Sequence, residues 1–119
     1  MKKSIVAEKA SAFGIRVSNA FKYLCKNNYK IAAFDQFARS GTAIGALTHE
    51  AVFAQSRKDF VNKMSIALKE ANETKYWIEI LYKSGYINEA SYKSILNDCK
   101  ELVGTLVNIV KTTKLTMDN

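Results

Sequence analysis

Apolar side chains recur along this chain at alternating intervals of four and three, the spacing that lines one side of an α-helix. From residue 4 to residue 27 the recurring positions are Val6, Ala10, Phe13, Val17, Ala20 and Leu24, which predict a single seam facing a partner helix. Asn27 and Asn28 follow as a turn signal, because asparagine tolerates left-handed backbone and bonds its own main chain. A second helix is expected over about 29–55, its seam formed by Phe34, Phe37 or Ala38, Gly41, Ile44, Thr48 and Ala51. Small residues stand there opposite large ones on the first helix and permit close approach.

Ser56 and Asp59 then carry the signature of a helix start, a hydroxyl cap and an acidic side chain at the positive end of the helix dipole. A third helix over about 57–84 keeps the alternation through Phe60, Met64, Ala67, Ala71, Thr74, Ile78 and Leu81. Gly85 suits the left-handed position that ends a helix. Asn88 is the candidate cap of a fourth helix over about 88–113, with Tyr92, Ile95, Cys99, Leu102, Leu106 and Ile109 on its seam and Leu96, Val103 and Val110 widening it. The polar tail after Thr113 is expected to fray. Helices of about 25 residues span about 35–40 Å at 1.5 Å per residue, and connections this short make them fold back on one another. The expected fold is all-α, a single-domain antiparallel up-down-up-down four-helix bundle.

Composition sharpens that expectation. The 119 residues include no proline and only five glycines, which argues against a loop-rich or disordered protein. No run of apolar residues is long enough to span a bilayer. The start imitates a secretory signal until Glu8 and Lys9 interrupt it, so the reading is a cytoplasmic protein. In that compartment Cys25 and Cys99 are read as small buried hydrophobes, not as a disulfide.

The net charge of +7 is unevenly distributed. Residues 1–30 hold seven basic side chains and one acidic one, 31–60 and 61–90 each sum to zero, and 91–119 adds +1. On a helical wheel Lys2, Lys9, Arg16, Lys22, Lys26 and Lys30 share one broad arc opposite the apolar seam, with Glu8 interrupting it. A continuous positive face is the electrostatic footprint of a polyanion-binding surface. The plainer account is a solubilising face on a surface helix. A membrane-surface role is weaker, because the apolar side of this helix is needed for the core.

Catalytic constellations are scarce. His49 is the sole histidine, and Phe53 occupies the place of the second histidine that a zinc-protease helix requires. Gly41 and Gly45 lie four apart with no lysine after the second, so close helix packing accounts for them better than a phosphate loop. Glu50, Glu70 and Glu73 lack the histidine that a di-iron bundle pairs with its glutamates. One or more of them are expected to sit near the seam and pair with Arg39 or Lys63, the remainder being solvated. Trp77 offers a stacking surface for a base, but its helical spacing beside Ile78 and Leu81 favours core or subunit packing. No cofactor or metal is expected, and the reading is non-enzymatic.

The segment Arg39-Ser40-Gly41-Thr42-Ala43-Ile44-Gly45-Ala46 is followed by Glu50-Ala51, Ser56, Asp59-Phe60, Lys63-Met64-Ser65-Ile66-Ala67, Glu70, Glu73-Thr74 and Trp77. In order and spacing these residues resemble the four-helix-bundle proteins of the 23S rRNA intervening-sequence family. The chain departs at Ala43, where serine is common, and at Leu47-Thr48-His49, where an Asn-Ile-Arg-like run is frequent. The resemblance implies a small bacterial protein, similar to the accessory protein of diversity-generating retroelements, that forms a ring-like homopentamer with a basic surface. It also implies nucleic-acid binding and gives Arg39, Ser40, Gly41, Gly45, Glu50, Glu70, Glu73 and Trp77 as a helix-packing or oligomer motif. Two functions follow as expectations. One is binding of structured RNA or other nucleic acid through the basic face of the first helix. The other is a protein-interaction scaffold serving a nucleic-acid enzyme such as a reverse transcriptase.

Overall fold

The computed structural model of the chain describes residues 4–117. It contains four helices in antiparallel sequence: α1 (Ile5–Asn27), α2 (Ala32–Val52), α3 (Arg57–Lys83) and α4 (Glu89–Met117). Together they form a bundle measuring 51 × 23 × 21 Å. Consecutive helices pack closely, whereas α1 and α4 meet only lightly.

Local chemistry sets the boundaries. Ser4 caps α1 by accepting the Ala7 N–H at 3.2 Å. At the other end the Asn27 and Asn28 side-chain amides donate to the carbonyls of Tyr23 and Leu24, at 2.8 and 3.1 Å. These asparagines thus end the helix by satisfying its last carbonyls, and the left-handed backbone expected of them is absent: Asn28 is extended, with φ −146°. Tyr29 and Lys30 have no regular structure and Ile31 is extended, so α2 begins at Ala32 and not at 29, leaving Lys30 in the connection. Its far end stops at Val52 and not at 55, because Phe53 and Ala54 donate to carbonyls only three residues back and Ser56 must be extended to cap α3.

Ser56 Oγ accepts the Asp59 N–H at 3.0 Å, and Asp59 Oδ2 accepts the Gln55 N–H at 3.3 Å. At the end of α3, Gly85 has φ +83°. Tyr86 N–H donates to Leu81 O at 2.9 Å and Gly85 N–H to Tyr82 O at 3.0 Å, the paired bonds of a Schellman motif. Asn88 then caps α4 through the Ser91 N–H at 2.8 Å. The helix runs past its expected end at 113, and of the tail expected to fray only Asp118 and Asn119 lie outside the described residues. The α4 helix continues to Met117, where Thr113 and Thr116 bond back to helix carbonyls and Arg57 of α3 donates to Thr116.

One contiguous apolar cluster draws on all four helices, with Val17, Leu24, Phe34, Phe37, Ile44, Met64, Ile78, Leu81 and Leu106 fully enclosed. The predicted seams hold with local shifts. Val61 and Val110 are buried, while the expected Phe60 and Ile109 are half-buried beside them. Phe37, not Ala38, fills the second seam. Tyr92 is half-buried and stacks on Tyr82 with centroids 4.1 Å apart.

Gly41 and Gly45 do different work within that core. A methyl group on Gly41 would lie 2.7 and 2.8 Å from the two γ-carbons of Val17, whereas one on Gly45 would meet the Ala10 backbone at an ordinary 3.5 Å. Gly14, which the sequence pattern did not single out, faces Gly41 and Thr42 from the α1 side.

Candidate functional site

The basic residues of the first helix divide into paired and unpaired groups. Arg16 directs its guanidinium at α4, with Nη1 2.6 Å from Asp98 Oδ2 and Nη2 2.7 Å from Ser94 Oγ. Lys9 reaches Glu101 at 3.4 Å and Lys30 reaches Asp35 at 3.0 Å; the bond to Asp35 also raises the Lys30 pKa. Lys22 and Lys26, one turn apart near the end of α1, are exposed and make no ion pair among the described residues. Lys26 lies in the last turn, where a cation favours the negative end of the helix dipole. Lys2 lies outside the described residues. The positive arc drawn on the helical wheel, which Glu8 alone interrupts there, is therefore broken further in three dimensions, because a single-helix projection omits the carboxylates that α4 and the start of α2 bring alongside.

The open part of this surface carries aromatic rings that the charge count overlooked. Tyr23 is 61% exposed and Tyr29 is 97% exposed. Both fall in the Lys22–Lys30 segment, so apolar ring faces and lysines alternate there. Ile5 and Ile15 are also exposed on α1.

On the opposite flank, between α2 and α3, the remaining motif residues assemble. Arg39 donates to both carboxylate oxygens of Glu70, at 3.2 and 3.1 Å, and to Glu73, while its Nε bonds Gln36 at 3.1 Å. The two carboxylates hold the guanidinium firmly protonated, its pKa raised above the usual arginine value. Trp77 is half-buried, and its indole N–H donates to Glu73 Oε2 at 3.2 Å. One turn deeper the hydroxyls of Ser40 and Thr74 lie 2.9 Å apart, and Thr74 donates to Glu70 O at 2.7 Å. Glu50 meets Lys63 at 3.4 Å farther along the same flank. The sequence-expected pairs thus form within one chain. Gln36 and the buried Ser40–Thr74 contact were not legible, since each depends on the α2–α3 register.

His49 Nε2 lies 2.8 Å from Ser11 Oγ across the α1–α2 seam. Cys99 is buried, its thiol donating to Ala71 O at 3.3 Å, and burial pushes its pKa up to about 12. Cys25, expected to be buried as well, is half-buried; both thiols are free. Among the described residues no group of three His, Cys, Asp or Glu side chains converges as a metal site. No described helix is long and apolar enough to cross a membrane.

One cleft stands out near the open lysines. A cavity of about 390 Å³ opens where α1 meets the α3–α4 connection. Its floor includes Leu24, Phe37, Ile78, Leu81 and Ile95, and its rim includes Arg16, Asn19, Tyr23, Tyr86, Asn88 and Ser91.

No curated protein matches the chain. A crystal structure from Bacteroides thetaiotaomicron VPI-5482, of a protein of unknown function from the S23 ribosomal protein family, is 46% identical. It superposes with a TM-score of 0.87, covering 90% of this chain and 99% of its own. The family model described as 23S rRNA-intervening sequence protein matches residues 2–108, which take in the whole bundle except the end of α4, and the chain belongs to that family.

Proposed function

We propose that this protein is a non-enzymatic, self-associating bundle that binds structured RNA or other nucleic acid through the last turns of α1 and the α1–α2 connection. The observation that carries this reading is the combination of unpaired Lys22 and Lys26 with exposed Tyr23 and Tyr29. Lysines neutralise phosphates without reading sequence, and exposed aromatic faces stack on bases. Lys9 and Arg16 are secondary in this scheme, because a phosphate would have to displace Glu101 or Asp98 to reach them.

Reversing Lys9 or Arg16 would set like charges against those carboxylates and confuse binding with stability. The clean test is Lys22→Glu with Lys26→Glu, compared with Lys111→Glu and Lys114→Glu, a charge-matched pair at the opposite end of the bundle. Titration of a labelled RNA stem-loop at several salt concentrations should show weak sequence preference and affinity falling steeply with salt. The α1 pair should flatten the log–log salt slope by roughly 2, about 0.9 for each phosphate no longer neutralised, and the α4 pair should leave it nearly unchanged. Equal losses from both pairs would remove α1 as the binding face.

A scaffold role for a nucleic-acid enzyme is the alternative, favoured by the half-exposed Trp77 and the exposed Ile66 and Tyr76 on α3. Pull-down after nuclease treatment separates the two readings, since a protein partner persists and an RNA-mediated one is lost.

A further inference from the structure

The cavity at the α1 end of the bundle has a lining suited to one chemical class. Side chains from all four helices lie behind it, but Leu24, Phe37, Ile78 and Leu81 are each at most 1% exposed and closed to solvent, so the open apolar surface of the cleft is that of Ala20, Tyr23, Tyr86 and Ile87. Its volume of about 390 Å³ lies within the range of small-ligand clefts, roughly 300–1,000 Å³. The rim is polar and largely uncommitted. The Asn19 amide and the phenol groups of Tyr23 and Tyr86 make no hydrogen bond among the described residues, and the Asn88 amide uses only its oxygen, to cap α4. An apolar slot ringed by free amides and phenols matches a planar heteroaromatic ring, which needs apolar contact on its faces and hydrogen bonds at its edge.

The surroundings narrow the class further. Tyr23 belongs both to this rim and to the lysine-bearing strip formed with Lys22 and Lys26. A backbone held by those lysines would therefore pass the mouth of the cleft. We propose that this cleft receives a single unstacked base of a bound nucleic acid, with the ring against Ala20 and Ile87 and its edge facing Asn19, Tyr23 and Asn88. This rests on the nucleic-acid reading above and adds to it a preference for bulged or looped nucleotides over continuous duplex.

The test compares three RNA stems that are identical except at one position: a perfect duplex, a one-nucleotide bulge, and the same bulge made abasic. The bulged stem should bind about tenfold tighter than the duplex, a gain typical of one stacked base, and the abasic stem should lose that gain. Ser91→Trp, which places an indole in the cleft from an exposed rim position, should abolish the preference while leaving duplex binding intact. Asn19→Leu is the second variant should Ser91→Trp fail to fold, and circular dichroism checks both. Lys22→Glu with Lys26→Glu should weaken all three stems together. Salt-sensitive binding that ignores the base would overturn the cleft assignment alone and leave the cleft to an apolar side chain of a protein partner. Absence of binding to every stem at low salt would overturn the nucleic-acid reading and this inference with it.

Discussion

Val17 and Gly41 show how far a single contact can set the spacing of two helices. Val17 is fully buried and β-branched, with few rotamers open to it in a helix, so it cannot swing away from a new methyl group 2.7 Å from its own. Gly41→Ala should cost about 1–3 kcal/mol of overpacking, outweighing the gain of about 1 kcal/mol in helix propensity. Gly45→Ala meets only ordinary contact distances and should keep that propensity gain. Urea unfolding of the two variants should therefore give opposite signs, and adding Val17→Ala to Gly41→Ala should cost less than the sum of the two single changes. Matching signs would mean that the helices are not held apart by Val17. The sequence made the two glycines look equivalent. Only the identity of the residue opposite each one separates them.

Among the elements, α1 and α4 form the weakest partnership in the bundle. Three clefts lie along their seam: the one beneath Tyr23, a second beside Phe13 and Leu102, and a third where Ser4–Val6 face Thr105–Thr116. Ion pairs bridge this seam, Lys9 with Glu101 and Arg16 with Asp98. Both are substantially exposed, so their contribution is modest. Arg16→Ala should lower stability by about 0.5–1 kcal/mol, with the loss shrinking in high salt as screening removes what the pair supplied. The check is the urea midpoint of the variant against the parent at two salt concentrations. A loss that did not respond to salt would point to packing by the arginine stem, not to its charge. Helix existence and most caps were legible because Ser56, Gly85 and Asn88 act on the main chain within a few residues of themselves; the Ser4 cap emerged only in the structure. The start and end of α2 were not, since Ile31 offers no capping side chain and Ser56, belonging to the next helix, fixes where α2 must stop.

At the scale of the molecule, the chain presents two flanks of different character. One carries the unpaired lysines and tyrosines of α1; the other carries the Arg39–Glu70–Glu73–Trp77 cluster, internally satisfied yet partly open. Self-association through the second flank would leave the first free and multiply its charge around a closed assembly. Native mass measurement at micromolar concentration should give two or more times the mass of the 13.3 kDa chain, and a ring of five is the multiple that the family resemblance implies. Trp77 emission should shift to the red on dilution if its exposed edge is covered by a neighbour. A monomer with unchanging emission would remove the assembled reading altogether.

What the sequence determined by itself was whatever depends on near neighbours along the chain. The four-three apolar alternation specified four helices and their inward faces, the absence of proline kept them unbroken, and the family motif identified Arg39, Glu70 and Glu73 as a group. Tertiary structure decided what depends on side chains distant in sequence and close in space. It showed that Lys9 and Arg16 direct their charge at α4, that Gly41 and Gly45 are unequal, and that Asn19, Tyr23 and Asn88 share one cleft. Charge shows why the division falls there: a helical wheel counts the cations on one helix, but the free field at a surface is set by every carboxylate the fold brings within a few ångströms.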